Sequence, residues 1–400
     1  MSHKPRIIVV GGGIAGLSTA IFLHRAGLEV VVLERTQDYG PVGSTLELGP
    51  NATRLLDDAG VGEALRRVGA RPQSTLLLRW QDSSVLSDTP LGQPAEEFFG
   101  GPALNFRRAE LLEALFEAAN PGIIRFGVSI TELRQNQSTA IALLDTGEEI
   151  SADALIGADG INSPIRNTVL HDKQLLYSGY SAYRGLVSRE AVGDLIDTTP
   201  VRRYWLGPRG QVVAYWGARS EYLGVSVTLR ADAPSSSTRS TLSADEVFAF
   251  LEGWDALPDK LARRIAHPIV TPIYVRPRTD NWVEGRIALL GDSAHAMTPF
   301  LGQGAGQAVE DAYVLSKVIG GISPEEIPSG LERYESIRVP RANDIHRQAE
   351  KSGENFYHLP DGHRQEERDR WLKELPRTWP FGTRQEIWSY VPRRELSAEV

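Results

Sequence analysis

Short apolar runs alternate with helical spacing along the first part of the chain. Arg6–Val10 (RIIVV) is apolar after its first residue, as a parallel strand buried on both faces requires. Leu17–Ala26 has helical periodicity, and Gly27 ends it. Glu29–Leu33 (EVVVL) is a second apolar strand. Pro41–Asn51 alternates in its middle and carries loop residues at both ends. Ala52–Ala59 and Val61–Val68 predict short helices, and Thr75–Trp80 a strand. Ser83–Gly101 is rich in turn residues and predicts a loop or hairpin. Leu104–Arg107 is a short strand. Arg108–Ala119 is an amphipathic helix with Leu111, Leu112, Leu115 and Phe116 on its apolar face. Ile123–Phe126, Ser129–Leu133, Ala140–Leu144 and Glu149–Ser151 predict a small meander, and Ala154–Ala158 another buried strand.

From about Gln174 the period changes to that of strands. Ser181–Val187, Val201–Leu206, Gln211–Trp216 and Tyr222–Leu229 alternate or mix their faces. Along Gln211–Trp216, Val213 and Tyr215 share one face and Val212, Ala214 and Trp216 the other. Ala231–Leu242 is a Ser/Thr/Ala/Pro-rich loop. Ser243 is placed to cap a helix at Ala244–Leu251. Asp259–Ala266 is a further helix, and Thr271–Arg276 a strand leading back to the βα part. An antiparallel sheet, at about residues 171–276, is thus inserted into a βα unit. Ile287–Leu290 and Ala305–Val318 restore the strand–helix pattern. Ile327–Glu350 reads as a long helix with a kink at Pro340. The charged tail from Lys351, with Trp371, Trp379 and Trp388, packs one face on the body. No repeat or low-complexity segment interrupts this order.

Composition narrows the class. The 400 residues suit two interleaved domains, and 41% hydrophobic with 24% charged residues is globular and soluble. No apolar run is long enough to span a bilayer. The N-terminus enters a strand at once, unlike a secretory signal. The absence of cysteine excludes disulfides, thiolate metal sites and a cysteine nucleophile, and fits the cytoplasm. A net charge of -8 argues against nucleic acid as a partner. A monomer or homodimer is expected.

Three motifs carry chemistry. The first strand runs into Gly11-Gly12-Gly13-Ile14-Ala15-Gly16. Gly11 makes the tight turn, Gly13 lets the backbone approach a pyrophosphate, and Gly16 lets helix pack on strand. Glu34, at the end of the second strand, is placed to accept from ribose hydroxyls. The buried strand at Ala154–Ala158 runs into Asp159-Gly160. The third, Ile287–Leu290, delivers Asp292 to a turn containing Pro299, Gly302, Gly304 and Gly306. The helix that follows offers its N-terminal N–H groups and partial positive charge to an electron-rich ligand.

GGGIAG with Glu34, GADGINSPIR at Gly157–Arg166 and GDSAHAMTP at Gly291–Pro299 stand in order. Together they resemble the class A flavoprotein monooxygenases, the single-component aromatic hydroxylases, over roughly Arg6–Glu350. AYRGLV at Ala182–Val187, GQGAGQAVEDA at Gly302–Ala312 and HLPDGHRQEERD at His358–Asp369 are similar to the salicylate hydroxylase and 6-hydroxynicotinate monooxygenase branch. The resemblance implies an α/β (α+β) fold. A Rossmann-like FAD-binding domain (1–73, 101–170, 277–350) would hold an inserted antiparallel-sheet substrate domain (74–100, 171–276), followed by a helical C-terminal part (351–400). It implies FAD as cofactor and NADH or NADPH and O2 as co-substrates. A small aromatic substrate would be hydroxylated through a flavin C4a-hydroperoxide.

For the cofactor, the resemblance implies contacts at Gly11, Gly13, Ile14, Ala15, Gly16, Glu34, Arg35, Arg108, Asp159, Asp292, Pro299, Gly302, Gln303, Gly304 and Ala305. Asp159, Gly160 and Arg166 match a motif shared with transient nicotinamide contacts; alternatively, an Arg166–Asp159 pair only staples the loop. His295 is expected to order its loop by hydrogen bonding. For the substrate, Tyr215 matches a substrate-contacting tyrosine and is otherwise a sheet-core aromatic. Glu47 stands where the hydroxynicotinate branch carries a histidine base. It is a candidate base or an ordinary exposed acid, and as an acid it would repel a substrate carboxylate unless protonated or paired. Phe300 is expected as an apolar wall near the flavin, and Arg184 as a possible partner for a substrate carboxylate or a structural residue. Open alternatives are a same-fold monooxygenase or epoxidase for a larger fused-ring compound, and a non-catalytic flavin-binding scaffold.

Overall fold

The computed structural model describes residues 4–38, 44–232, 242–375 and 384–396. The start of the Pro41–Asn51 stretch, most of the Ala231–Leu242 loop and Trp379 lie outside them.

A six-stranded sheet forms one half of the molecule. Its order is Val283–Glu284, Ile287–Leu289, Ala154–Gly157, Arg6–Val10, Glu29–Glu34 and Ile124–Phe126. All pairs are parallel except the first. Ile7, Ile8, Val9, Leu155, Ile156, Ala288 and Leu289 are fully buried, which explains the unbroken apolar runs. Helices Ile14–Arg25 and Gly304–Ile319 pack on each other over this sheet; both are buried nearly all round and therefore show little amphipathic pattern. Ile7↔Ala154 and Leu155↔Ile287 set the register. That register brings the carboxyl ends of three adjacent strands together, and GGGIAG, Asp159-Gly160 and Gly291-Asp292 all follow those ends. In open parallel sheets this is where ligands bind.

Ile124–Phe126 joins the edge of this sheet through Val32↔Ile124 and is not part of the meander expected from the sequence. A run of three residues has too little periodicity to distinguish the two. The meander keeps Ile130–Gln135, Ala140–Leu144 and Glu149–Ala152.

The second sheet has seven strands, in the order Ile269–Val275, Leu176–Ser188, Tyr222–Arg230, Gly210–Trp216, Val201–Gly207, Ser74–Arg79 and Val85–Pro90. The predicted antiparallel character holds except where Val201–Gly207 runs parallel to Ser74–Arg79, two segments distant in sequence. The strand expected to lead back to the first sheet is itself an edge strand here. On one face Trp205, Val212, Ala214, Trp216, Val225 and Val227 pack under helices Ala244–Phe250 and Ala256–Arg263. Ser243 caps the first with a full capping box to Glu246. The second begins before the predicted Asp259, because Asp255 accepts from the Leu257 N–H and starts the helix there. Ser83–Gly101 contains the predicted hairpin strand and also a helix, Gly92–Phe99, too short to show a period.

Ile327–Ser352 is one helix that continues through Pro340. A single wide turn, Gly353–Tyr357, follows, then helices His363–Glu374 and Arg384–Trp388. This C-terminal part covers the free face of the seven-stranded sheet. Tyr357 and Leu372 pack with Tyr180, Tyr204, Leu206 and Phe300, while Trp388 packs on Phe99. Among the described residues, no helix is long and apolar enough to cross a membrane.

Candidate active site

At the first strand end, Gly11 has φ +105°, and a Cβ there would overlap the Ala158 carbonyl. Gly16 closes on Gly11 in the same way, whereas Gly13 faces open space. Ile14 and Ala15 open the helix behind them. The Glu34 carboxylate accepts from the Gly12 N–H at 2.5 Å and from Thr36 N at 2.9 Å. It is thereby fixed beside the glycine turn. Asp159 keeps one buried carboxylate oxygen without a partner, and burial raises its pKa to about 6. The Arg35 guanidinium is close enough to lower it in part. Arg166 does not meet Asp159. It is fully buried and donates to the Ser293 and Ala294 carbonyls at 3.1 and 2.8 Å, so it ties the second motif to the third from within. The alternative Arg166–Asp159 staple is therefore not formed; beside these carbonyls Arg166 pairs with Asp172 at 3.4 Å.

At the third strand end Asp292 is exposed while its neighbours Ser293, Ala294 and His295 are buried. The Gly304 position lies 3.8 Å from Asp292 Oδ1, measured from where a Cβ would stand. Gly302 takes the left-handed conformation, φ +63°, and lets the chain turn from Pro299–Leu301 into the helix Gly304–Ile319. No side chain caps that helix, so the N–H groups at Gly304 and Ala305 remain available. Behind this turn lies a buried ionic network. Arg338 donates to Asp311 at 2.7 Å, to Glu310 at 2.8 Å and to Gln307 at 2.8 Å. Asn51 bridges Glu310 and Gln303. Asp311 also holds His295 at 2.7 Å and accepts from the Gly291 N–H at 3.0 Å. Burial pushes Asp311 up, but His295 and Arg338 together outweigh it and hold its pKa at about 2. His295 therefore orders the Gly291-Asp292 turn.

Opposite the turn stands the free face of the seven-stranded sheet. Register places Arg202, Tyr204 and Leu206 on it, beside Tyr215, Val213 and Gln211 of the next strand. Glu47, on strand Thr45–Leu48, reaches this face and is buried. It crowds Gly302 so closely that a Cβ on Gly302 would overlap its carboxylate. Glu47 is neither exposed nor alone. Arg202 approaches it at 2.8 Å, Arg384 at 3.5 Å, and the Tyr204 hydroxyl donates to it at 3.4 Å. Burial, and next the Glu47 charge, push the Tyr204 phenol up to about 12. Tyr215 is buried, bonds Thr45, and is likewise held above its usual range, first by burial and then by Glu47. Arg184 donates to Thr271 at 3.1 Å; burial, then repulsion from nearby Arg108, lower its pKa. Arg108 starts the helix Arg108–Ala118 beside it. Phe300 is buried against Tyr180 and His358.

Comparison with known proteins identifies the family. The FAD binding domain family matches residues 4–349. The chain belongs to that family. It is 35% identical over 386 residues to a 3-amino-4-hydroxybenzoate 2-monooxygenase from Streptomyces platensis, covering 95% of this chain and 96% of the relative. To the salicylate hydroxylase of Pseudomonas putida it is 33% identical over 390 residues, covering 89% and 87%. Among solved structures, a salicylate hydroxylase substrate complex superimposes with a TM-score of 0.82 at 25% identity, covering 98% of this chain and 97% of that one. The chain is an FAD-dependent, NAD(P)H-consuming aromatic monooxygenase.

The residues fit FAD. Gly13 leaves space for a pyrophosphate, Asp292 offers a free carboxylate to hydroxyls, and the uncapped N–H groups at Gly304 suit an anionic ring edge. Bound FAD supplies the redox centre at which O2 is activated.

Sequence reasoning did not single out Arg202, Tyr204, Arg384, Gln211 and His358. Arg202 carried a signal, since alternation along Val201–Leu206 puts it on one face with Tyr204 and Leu206. Arg384 carried none, because its helix has only five residues.

Proposed function

We propose that the protein hydroxylates an aromatic acid bearing a ring hydroxyl or amine, of the amino-hydroxybenzoate type, as a monomer or homodimer in the cytoplasm. The observation that carries this reading is the charge balance at Glu47. One buried carboxylate faces two guanidinium groups, Arg202 and Arg384. A buried surplus of positive charge is costly unless an anion completes it. A substrate carboxylate completes it, and Glu47, already paired, does not repel that carboxylate. The relatives named for amino-hydroxybenzoate and salicylate support the same class.

In this reading the six-stranded sheet with 1–73, 101–170 and 277–350 holds FAD. Residues 74–100 and 171–276 present the substrate face, and 351–400 close it. Gly11, Gly13, Ile14, Ala15, Gly16, Glu34 and Arg35 take the adenosine and pyrophosphate end. Asp159, Asp292, Arg108 and Pro299 through Ala305, including Gly302, Gln303 and Gly304, take the rest. Arg384 and Arg202 orient the acid, Glu47 holds the two arginines in place for it, Tyr215 lines the same end of the substrate face, and Phe300 excludes water from the ring. Arg184, beside Arg108, adds positive potential. Glu47 serves as a fixed acceptor rather than the proton-removing base.

The test is NAD(P)H oxidation by the FAD-loaded enzyme across benzoates, phenols and hydroxypyridines, with products identified by mass. Substrate-stimulated oxidation confined to aromatic acids, with one oxygen atom added to the product, supports the reading. Stimulation by uncharged phenols alone, or by none of the panel, contradicts it.

A further inference from the structure

Two buried side chains on the substrate face keep polar atoms without a partner. His358 is 4% exposed, and neither ring nitrogen makes a hydrogen bond. Gln211 is 5% exposed, and its Oε1 accepts none. Such atoms are expensive to bury empty-handed, because desolvation is uncompensated. They also belong together. The Arg209 N–H donates to the His358 carbonyl at 3.4 Å, which seats His358 on the turn that joins strands Val201–Gly207 and Gly210–Trp216. Gln211 lies two residues beyond that contact. Its register partner Thr228 pairs in turn with Ala182, which shares a face with Tyr180. The His358 ring packs on Tyr180 at 4.9 Å and on Phe300 at 4.7 Å between centroids, so it stands on this same face.

We propose that His358 and Gln211 form the polar end of the substrate pocket and bind the hydrogen-bond-donating ring substituent, hydroxyl or amine, of the aromatic acid. The inference rests on the aromatic-acid reading above. A neutral imidazole offers one donor and one acceptor, and the Gln211 oxygen a second acceptor. Burial, and next the charges of Arg230 and Arg368, lower the His358 pKa to about 3, so it is neutral at physiological pH. A hydroxyl or amine matches that set, with an N–H or O–H to give and a lone pair to receive. A carboxylate matches it less well, since it has no hydrogen to give to those two acceptors. The pocket is therefore polarised. Its cationic end at Arg202 and Arg384 takes the acid, and its neutral end at His358 and Gln211 takes the donor. The aromatic ring lies beside Phe300 on the sheet face.

The experiment titrates FAD-loaded enzyme with benzoate, 4-hydroxybenzoate and 3-amino-4-hydroxybenzoate, following the flavin absorbance change. The wild type should bind the two substituted acids about 10-fold or more tighter than benzoate. His358→Phe and Gln211→Leu should each remove most of that discrimination and leave the benzoate Kd within about 2-fold; His358→Asn should restore part of it. A role in packing alone would weaken all three ligands together. If His358→Phe loses its FAD, Gln211→Leu decides alone. Unchanged discrimination in Gln211→Leu, or an equal loss for benzoate, overturns the inference. Substituted acids and benzoate binding equally to the wild type also overturn it. Binding of none of the three by the wild type removes the aromatic-acid reading, and this inference with it.

Discussion

Two clusters of buried charge flank the turn Pro299–Gly304, and they are finished to different degrees. Behind the turn, Arg338 meets both Glu310 and Asp311, and each of these carboxylates has further donors in Asn51, Gln307, His295 or Gly291 N–H. In front of it, Glu47 is outnumbered by Arg202 and Arg384, and Gln211 and His358 have polar atoms with no partner. Both clusters are buried, and both keep unpartnered polar atoms, Asn51 Oδ1 and His295 Nδ1 behind the turn among them. Charge balance separates them, since Arg338 and Arg341 meet Glu310 and Asp311 two against two. A buried network whose charges balance holds a fold together, and one with charge left over is shaped for something that arrives later.

The largest effect should come from the charge-balanced cluster. Arg338→Met removes the cation shared by two buried carboxylates, leaving Glu310 with Arg341 and Asp311 with His295, and breaking such a buried pair costs about 3–5 kcal/mol. The expected outcome, read by thermal melting and FAD content, is protein that fails to hold its fold or its flavin. A melting temperature within a few degrees of wild type would erase the distinction between the clusters. Next, Arg384→Met opens the substrate side. It should leave FAD content unchanged and lower kcat/KM for an aromatic acid about 30-fold or more, with little effect on an uncharged phenol. Glu47→Gln should be milder. Product formed per NAD(P)H consumed should fall by about 3- to 10-fold, since the ring is less well oriented, while flavin reduction is unaltered. An unchanged ratio would remove Glu47 from orientation.

The smallest effect is electrostatic and separates the clusters by pH. Asp311 is held at about 2, below the ~3.9 of a free aspartate. Its contribution is present above pH 4 and is lost as pH falls from about 4 toward 2. Asp159 lies on the cofactor side with an unpaired oxygen and is raised to about 6. Between about pH 4 and 6 the folded state therefore binds more protons than the unfolded one, and rising pH lowers stability. Asp159→Asn should make the FAD-free protein melt a few degrees higher than wild type above pH 6, with no such gain at pH 4, in a pH series of thermal melts.

The cofactor half of this picture was legible in the sequence because its signals are local. GGGIAG, Asp159-Gly160 and Gly291-Asp292 each sit within a few residues of a buried strand, and parallel pairing brings the three ends together. The substrate half was not. Glu47, Arg202 and Arg384 are brought together from strands and a tail helix far apart in the chain, so no spacing announces them. Glu47 could be noticed as a departure, yet only the fold shows that two arginines neutralise it. Ile124–Phe126 and Gly92–Phe99 were misplaced or missed for a simpler reason: elements that short have no readable period.

The most direct test is a crystal structure of the FAD-loaded enzyme with 3-amino-4-hydroxybenzoate bound. The account predicts the carboxylate within hydrogen-bond distance of Arg384 and Arg202. The ring should lie beside Phe300, and its hydroxyl or amine should meet His358 or Gln211. A ring bound with its carboxylate on Arg184 and the Glu47 cluster unchanged, or one bound outside the sheet face, would contradict it.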